Sequence, residues 1–382
     1  MTLRLALLAL ITTLSTQIAI AANSNADHTK DVSLYRQKLA EYVRAHNAYE
    51  KRAQPYWQSV TEKRSKRLAK RLHGASAKLS DYVLKQPPAY TGPPEPQAPQ
   101  TLPSNIKTIP VAADFLRHAK EQFNFTPDTP QSENDYKRAY VKAALAAGLT
   151  PEQCVRIYAF ESGGDGTYDV QAGLEYKKPG ARAITTALGY NQLLGTNSVE
   201  MLAEAGDEFV ATLHKNADAA HGSRKDALLR KIVILKKMIA FSRSVPDRWS
   251  EHTRLADTPK GLGVHALNLD VDVGPLLQVR KLLTSVEFAK AHDYVRPLSA
   301  AELEMMNLTG DGNGFDMVLM PSAMRAKVPT SNFFQRGGYE RNPVASLNDT
   351  VAKLFAATNA KMDSESELVG AKNLAALFET LR

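Results

Sequence analysis

Glu161 is the carboxylate of this chain whose setting best suits proton chemistry. Upstream, Thr150-Pro151-Glu152-Gln153 carries helix-start signals, with Thr150 as N-cap, Pro151 at the first helical position and Gln153 at capping-box spacing. The spacing predicts a helix to about Ser162, stopped by Gly163-Gly164. Cys154, Ile157, Tyr158 and Glu161 fall at i, i+3, i+4 and i+7, which is one face. Glu161 therefore lies on the apolar stripe in the last turn. Desolvation there, and the negative end of the helix, both disfavour the carboxylate and predict a raised pKa. A carboxylic acid that keeps its proton near neutrality is what general-acid catalysis needs.

A second stretch, Ala187-Leu188-Gly189-Tyr190-Asn191-Gln192-Leu193-Leu194, follows Glu161 by about one supersecondary unit. A helix ending in Glu161-Ser162 and followed by Gly189-x-x-Gln192-Leu193 resembles the lytic transglycosylases with a goose-type-lysozyme-like fold. Asp272-Val273-Gly274-Pro275-Leu276-Leu277 is similar to a further helix start of that family, and Met306-Asn307 to its Tyr-Asn motif, with Met306 in place of the tyrosine. The resemblance covers roughly residues 140 to 320. It implies Glu161 as the sole catalytic acid/base of a peptidoglycan-cleaving lyase acting on MurNAc-GlcNAc β-1,4 bonds to give 1,6-anhydro products. It also implies a glycan-binding cleft lined by Ser162, Gly189, Tyr190, Gln192 and Asn307, with Tyr190 or Tyr339 supplying the missing hydroxyl. The fold it implies is mainly α, a lysozyme-like domain with a short β-hairpin between Gly164 and Thr186. No cofactor or metal is required by this chemistry. Two alternatives stay open: a hydrolytic lysozyme in which Asp165 or Asp169 positions water, and a non-catalytic peptidoglycan-binding envelope protein.

Other chemistry is thin. Neither a His-Glu-x-x-His zinc pattern nor a Gly-x-Ser-x-Gly elbow occurs. Asp311-Gly312-Asn313-Gly314 followed by Asp316 is similar to a calcium loop, but the sixth-position glycine and twelfth-position glutamate are missing. Cys154 is the only cysteine, so an internal disulfide is impossible, and it reads as a buried core thiol.

The elements that must position these groups divide into four stretches. Residues 1 to 22 read as a secretory signal peptide, with Arg4 before the apolar Leu5–Ile11 and a small-residue site at Ala19-Ile20-Ala21. That reading predicts a soluble periplasmic or extracellular protein. Residues 23 to 85 form a basic arm that is helical from Asp31, with Tyr35, Leu39, Tyr42, His46, Tyr49, Ala53 and Tyr56 as a heptad-like seam. Pro55 is expected to kink or interrupt it. Residues 86 to 105 are proline-rich and read as an extended linker. Residues 106 to 382 form the remaining, mostly helical domain, with helices expected over 111–123, 133–147, 151–162, from Val199 to Leu213, 224–243 and twice in the tail.

The chain is 382 residues long, 43% hydrophobic, with a formal charge of +8. This is a globular composition, and the basic balance fits anionic partners. Peptidoglycan strands are the expected partner of the cleft, and anionic envelope polymers that of the Lys63–Arg71 run. The tyrosine seam offers a surface for self-association or a protein partner. Nucleic acid is not expected, since no recognisable module for it is present.

Overall fold

The computed structural model describes residues 3–99, 108–174 and 182–382, with side chains from residue 31 onward. The chain divides into two units, Met1–Lys107 and Thr108–Arg382.

The first unit is built on one long helix, α1 (Leu3–Leu72). It starts well before Asp31 and continues through Pro55, against the expected interruption. Both Pro55 and Lys51, whose carbonyl loses its helical donor there, are exposed, so water can take over that bond. Tyr49, Ala53, Trp57 and Val60 form its buried stripe. The stripe is covered from within the unit. After a turn at His73-Gly74 and a 3₁₀ turn at Leu79–Asp81, the chain folds back along α1. Tyr90, in the proline-rich segment, packs its ring 5.4 Å from that of Tyr49 and 5.7 Å from that of His46. The Tyr56 hydroxyl donates to the Lys85 carbonyl at 3.1 Å. Part of the basic run is consumed in this packing. Lys63 donates to the Tyr82 carbonyl, Arg67 is buried against the Asp81 carbonyl and the Tyr82 ring, and Lys70 pairs with Asp81 at 2.6 Å.

The second unit is an assembly of helices. Its first half comprises α2 (Ala112–Phe123), α3 (Glu133–Ala146), α4 (Pro151–Ser162), α5 (Gly195–Ala219), α6 (Gly222–Ser242), α7 (Trp249–Ala256) and α8 (Pro259–His265). The second half holds α9 (Gly274–Ala291), α10 (Ala300–Thr309), α11 (Asp311–Val318) and the short α12 (Ser322–Arg325), α13 (Arg336–Arg341) and α14 (Pro343–Leu347). Two longer helices, α15 (Val351–Ser366) and α16 (Val369–Leu381), close the chain. One core gathers Phe115, Leu193, Leu202, Leu213, Leu235, Val264 and Leu277 from α2, the 188–193 loop, α5, α6, α8 and α9. Burial at this scale, about 1.5–3 kcal/mol per large side chain, holds the helices together.

The expected fold is corrected here. A mainly α lysozyme-like domain needs its β-region, yet the described residues contain only isolated bridges, Gln171 with Leu188, Leu188 with Leu193 and Pro329 with Thr350. Where the hairpin was expected, residues 164–174 and 182–186 run as turns and bends, and residues 175–181 lie outside the described part. Gly163, Gly164, Gly173 and Gly189 all take positive φ, which turns the chain repeatedly and leaves the described residues of this stretch no extended run to pair. Among the described residues no helix is long and apolar enough to cross a membrane.

Candidate functional site

The helix carrying Glu161 is capped as its sequence dictates. The Thr150 hydroxyl accepts from the Gln153 N–H and the Gln153 side chain accepts from the Thr150 N–H. Gln153 also donates to the Leu298 carbonyl at 2.8 Å, while the Glu152 carboxylate accepts from the Ala300 N–H at 3.2 Å. The start of α4 is thereby fixed to the start of α10. Ser299 caps α10 in a capping box with Glu302, which Arg296 holds in a two-pronged ion pair.

This clamp brings two carboxyl groups together. Glu161, in the last turn of α4, lies beside Glu304 of α10, which is fully buried and accepts from the Asn307 amide. Burial pushes the Glu161 carboxyl up to about 7, against the pull of Lys281 and Lys361. Glu304 is raised well above the usual carboxylate range, by burial first and then by the charge of Glu161. Each carboxyl disfavours ionisation of the other, and Glu304 Oε1 has no hydrogen-bond partner among the described residues.

Glu161 lines a cavity of about 590 Å³. One wall is a face of α5 at helical spacing, with Asn197, Glu200, Met201 and Glu204. A second is α9, with Lys281, Thr284 and Ser285. The Met306–Gly310 end of α10 and Asp311 of α11 form the third, and Trp249 of α7, 49% exposed, stands at the opening. Glu200 is also raised to about 7, by burial and then by Glu204 beside it. Asp311 is raised by burial although Ser285 donates to it at 2.6 Å.

The Gly189–Leu193 loop supplies the fourth wall, through Asn191 and Gln192. Gln278 of α9 binds this loop along its length: its Nε2 donates to the Leu188 carbonyl and its Oε1 accepts from the Asn191 N–H at 2.7 Å. Gly189 has φ +80°, and a Cβ there would lie 2.5 Å from Gln278 Nε2, so only glycine fits. Gln192 adopts φ 44°, and its amide donates to the Gly189 and Val170 carbonyls. Asn191 is 2% exposed, and its Nδ2 donates to the Gln278 carbonyl at 2.6 Å. Its Oδ1 has no hydrogen-bond partner among the described residues, and neither has Asn307 Oδ1 across the cavity.

Of the residues singled out from sequence, the cavity thus collects Glu161, Gln192, Met306, Asn307 and Asp311. The others lie outside its wall. Ser162 donates back to the Tyr158 carbonyl at 2.6 Å. Tyr190 is fully buried among the rings of Tyr136, Tyr140 and Tyr158 and donates to Glu133. Tyr339 packs beside Phe334. Asp165 accepts from the Gly370 N–H at 2.6 Å and Asp169 from the Thr167 hydroxyl, so neither lines the cavity. Asp311 to Asp316, with its likeness to a calcium loop, is the first part of helix α11. Cys154 is buried, and its thiol is pushed up to about 12. Sequence reasoning missed Glu304, although a glutamate inside the apolar run Leu303–Met306 is a legible signal of a buried carboxyl. It also missed Asn191, Glu200 and Lys281, which come from separate elements.

The chain matches no protein-family model, no curated protein and no solved structure. With the β-region of a lysozyme-like fold missing from the described residues, the resemblance to lytic transglycosylases is withdrawn. The peptidoglycan-cleaving lyase and the muramidase alternative go with it, since Asp165 and Asp169 are engaged elsewhere. The non-catalytic alternative loses the lysozyme-like groove on which it was built.

Proposed function

We propose that the second unit is a binding domain for a small polar molecule, held in the cavity between α4, α5, α9 and α10. The observation that carries this reading is the cavity itself: Glu161, Glu200, Glu204 and Asp311 with Lys281 put charged groups on its wall, and Gln278 with the positive-φ Gly189 turn holds the Asn191–Gln192 side in place. The cavity volume of about 590 Å³ lies within the range of small-molecule sites.

The test is a ligand-observed NMR screen with glycerol, glucose, agmatine, spermidine, succinate and arginine as probes. Wild type is compared with Thr284→Trp, which fills the cavity from α9. Binding of at least one probe to wild type, lost in the filled variant, supports the reading. No binding at millimolar concentration, or binding unchanged by the filling residue, overturns it.

A further inference from the structure

Helix α6 is apolar on two opposite sides. Leu228, Ile232, Leu235 and Ile239 face the core. On the other side Leu229 and Val233, four residues apart and so adjacent on the helix surface, stay 39% and 56% exposed, in line with the exposed Ala240. Helical pitch sets Lys225 and Lys236 along one margin of this ridge, and Arg230 and Lys237 along the other. None of these four makes an ion pair among the described residues. The remaining cations of α6 and its C-terminal cap are engaged, Arg224 and Lys231 with Asp272 and Arg243 with Asp207. Asp226 is the one carboxylate among the described residues of the exposed stripe. A solvated helix face accounts for the cations but not for the Leu-Val pair between them.

We infer that this face of α6 is a docking surface for an anionic lipid bilayer, on which the protein rests peripherally. No residue of α6 lines the cavity, so the inference is independent of the ligand reading. Charge complementarity decides the sign of the partner: four uncommitted cations stand against one carboxylate, on a chain of formal charge +8. Shape decides its kind. A stable protein interface takes about 800 Å² from each partner, with a packed apolar centre. Here the apolar centre is two side chains on a convex ridge, with no groove to receive a partner helix. A bilayer surface needs no matching shape. Leu229 and Val233 enter the headgroup boundary, while the Lys and Arg stems extend beside them and bring their charges to lipid phosphates. The attraction sums over the cations and is screened by salt.

The experiment is flotation of the full chain with vesicles of phosphatidylcholine alone, or of phosphatidylcholine mixed with phosphatidylglycerol, at about 0.05 and 0.5 M salt. The chain is expected to float with the mixed vesicles at low salt, to be released at high salt, and to ignore the neutral vesicles. Lys236→Gln with Lys237→Gln should lower the partition coefficient about thirtyfold. Leu229→Ser with Val233→Ser should lower it about tenfold. Lys142→Gln with Lys290→Gln, the same change of charge on α3 and α9, should leave it within about threefold of wild type. All six positions are exposed, so each variant keeps the wild-type melting temperature as a check on folding. No flotation with the mixed vesicles, equal flotation with the neutral ones, or equal losses in the two lysine pairs overturns the inference. Flotation unchanged by the α6 substitutions also overturns it and places the lipid contact on another basic segment. Poly-L-glutamate bound through Lys236 and Lys237, with no vesicle binding, overturns it in favour of an acidic polypeptide.

Discussion

Replacing Glu161 by Gln should make the folded protein more stable at neutral and alkaline pH. A carboxyl whose pKa moves from 4.5 to about 7 on folding costs roughly 3 kcal/mol to keep ionised above pH 7. The sign follows from proton counting. Between pH 4.5 and 7 the folded chain holds a proton that the unfolded chain has released, so stability falls as pH rises through that window and is level above it. The glutamine side chain removes the ionisation and offers an amide donor to Glu304. The variant should therefore gain about 2–3 kcal/mol at pH 8 and stay within about 1 kcal/mol of wild type at pH 4.5. Urea unfolding at both pH values gives these differences, with the near-ultraviolet circular dichroism of the tyrosine cluster around Tyr190 reporting on the second unit. A variant less stable than wild type at pH 8, or an unchanged pH profile, would refute the raised Glu161 pKa and return Glu161 to an ordinary solvated role.

Three further outcomes follow from the same packing. Lys231, nearly buried, meets Asp128 at 2.9 Å, Asp270 at 2.8 Å and Asp272 at 2.6 Å, so Lys231→Ala should cost about 3–5 kcal/mol in urea unfolding; a loss below about 1 kcal/mol would contradict it. His265 accepts from Ser198 and is lowered to about 4 by burial, so its contribution is intact above pH 6.5 and lost as pH falls through 4. Its ring resonances should stay flat from pH 8 to about 5, and a midpoint near 6.5 would show an exposed imidazole. At Gly314 a Cβ would run into the Met306 backbone, so Gly314→Ala should destabilise the second unit by about 1–3 kcal/mol and weaken probe binding at Asn307; an unchanged melting temperature would refute that close approach.

Local signals were readable in the sequence where they depend on neighbours along the chain. The Thr150-Pro151-Gln153 start of α4, its glycine stop and the burial of Cys154, Ile157 and Tyr158 all follow from capping and periodicity. The raised pKa of Glu161 follows from the same face, with burial as the leading cause. What failed was inference across the chain. The motif resemblance required a hairpin after Gly164, and the described residues there turn at positive-φ glycines with only isolated bridges. Pro55 was expected to break α1, and an exposed site lets the helix continue. Tyr190 carried a motif label but serves a ring cluster, while its neighbour Asn191 holds the orphaned oxygen. Glu304 lies more than one hundred residues from Glu161, and only the clamp between the starts of α4 and α10 reveals them as partners. Pairings of that kind are written in tertiary contacts and have no local signature.

Whether this cavity holds a small polar molecule is decided by a crystal structure of the full chain soaked with agmatine at pH 8. A ligand nitrogen is expected within about 3 Å of the Glu161 or Glu200 carboxylate. A cavity that stays empty at saturating agmatine, or agmatine bound only elsewhere on the molecule, would contradict it.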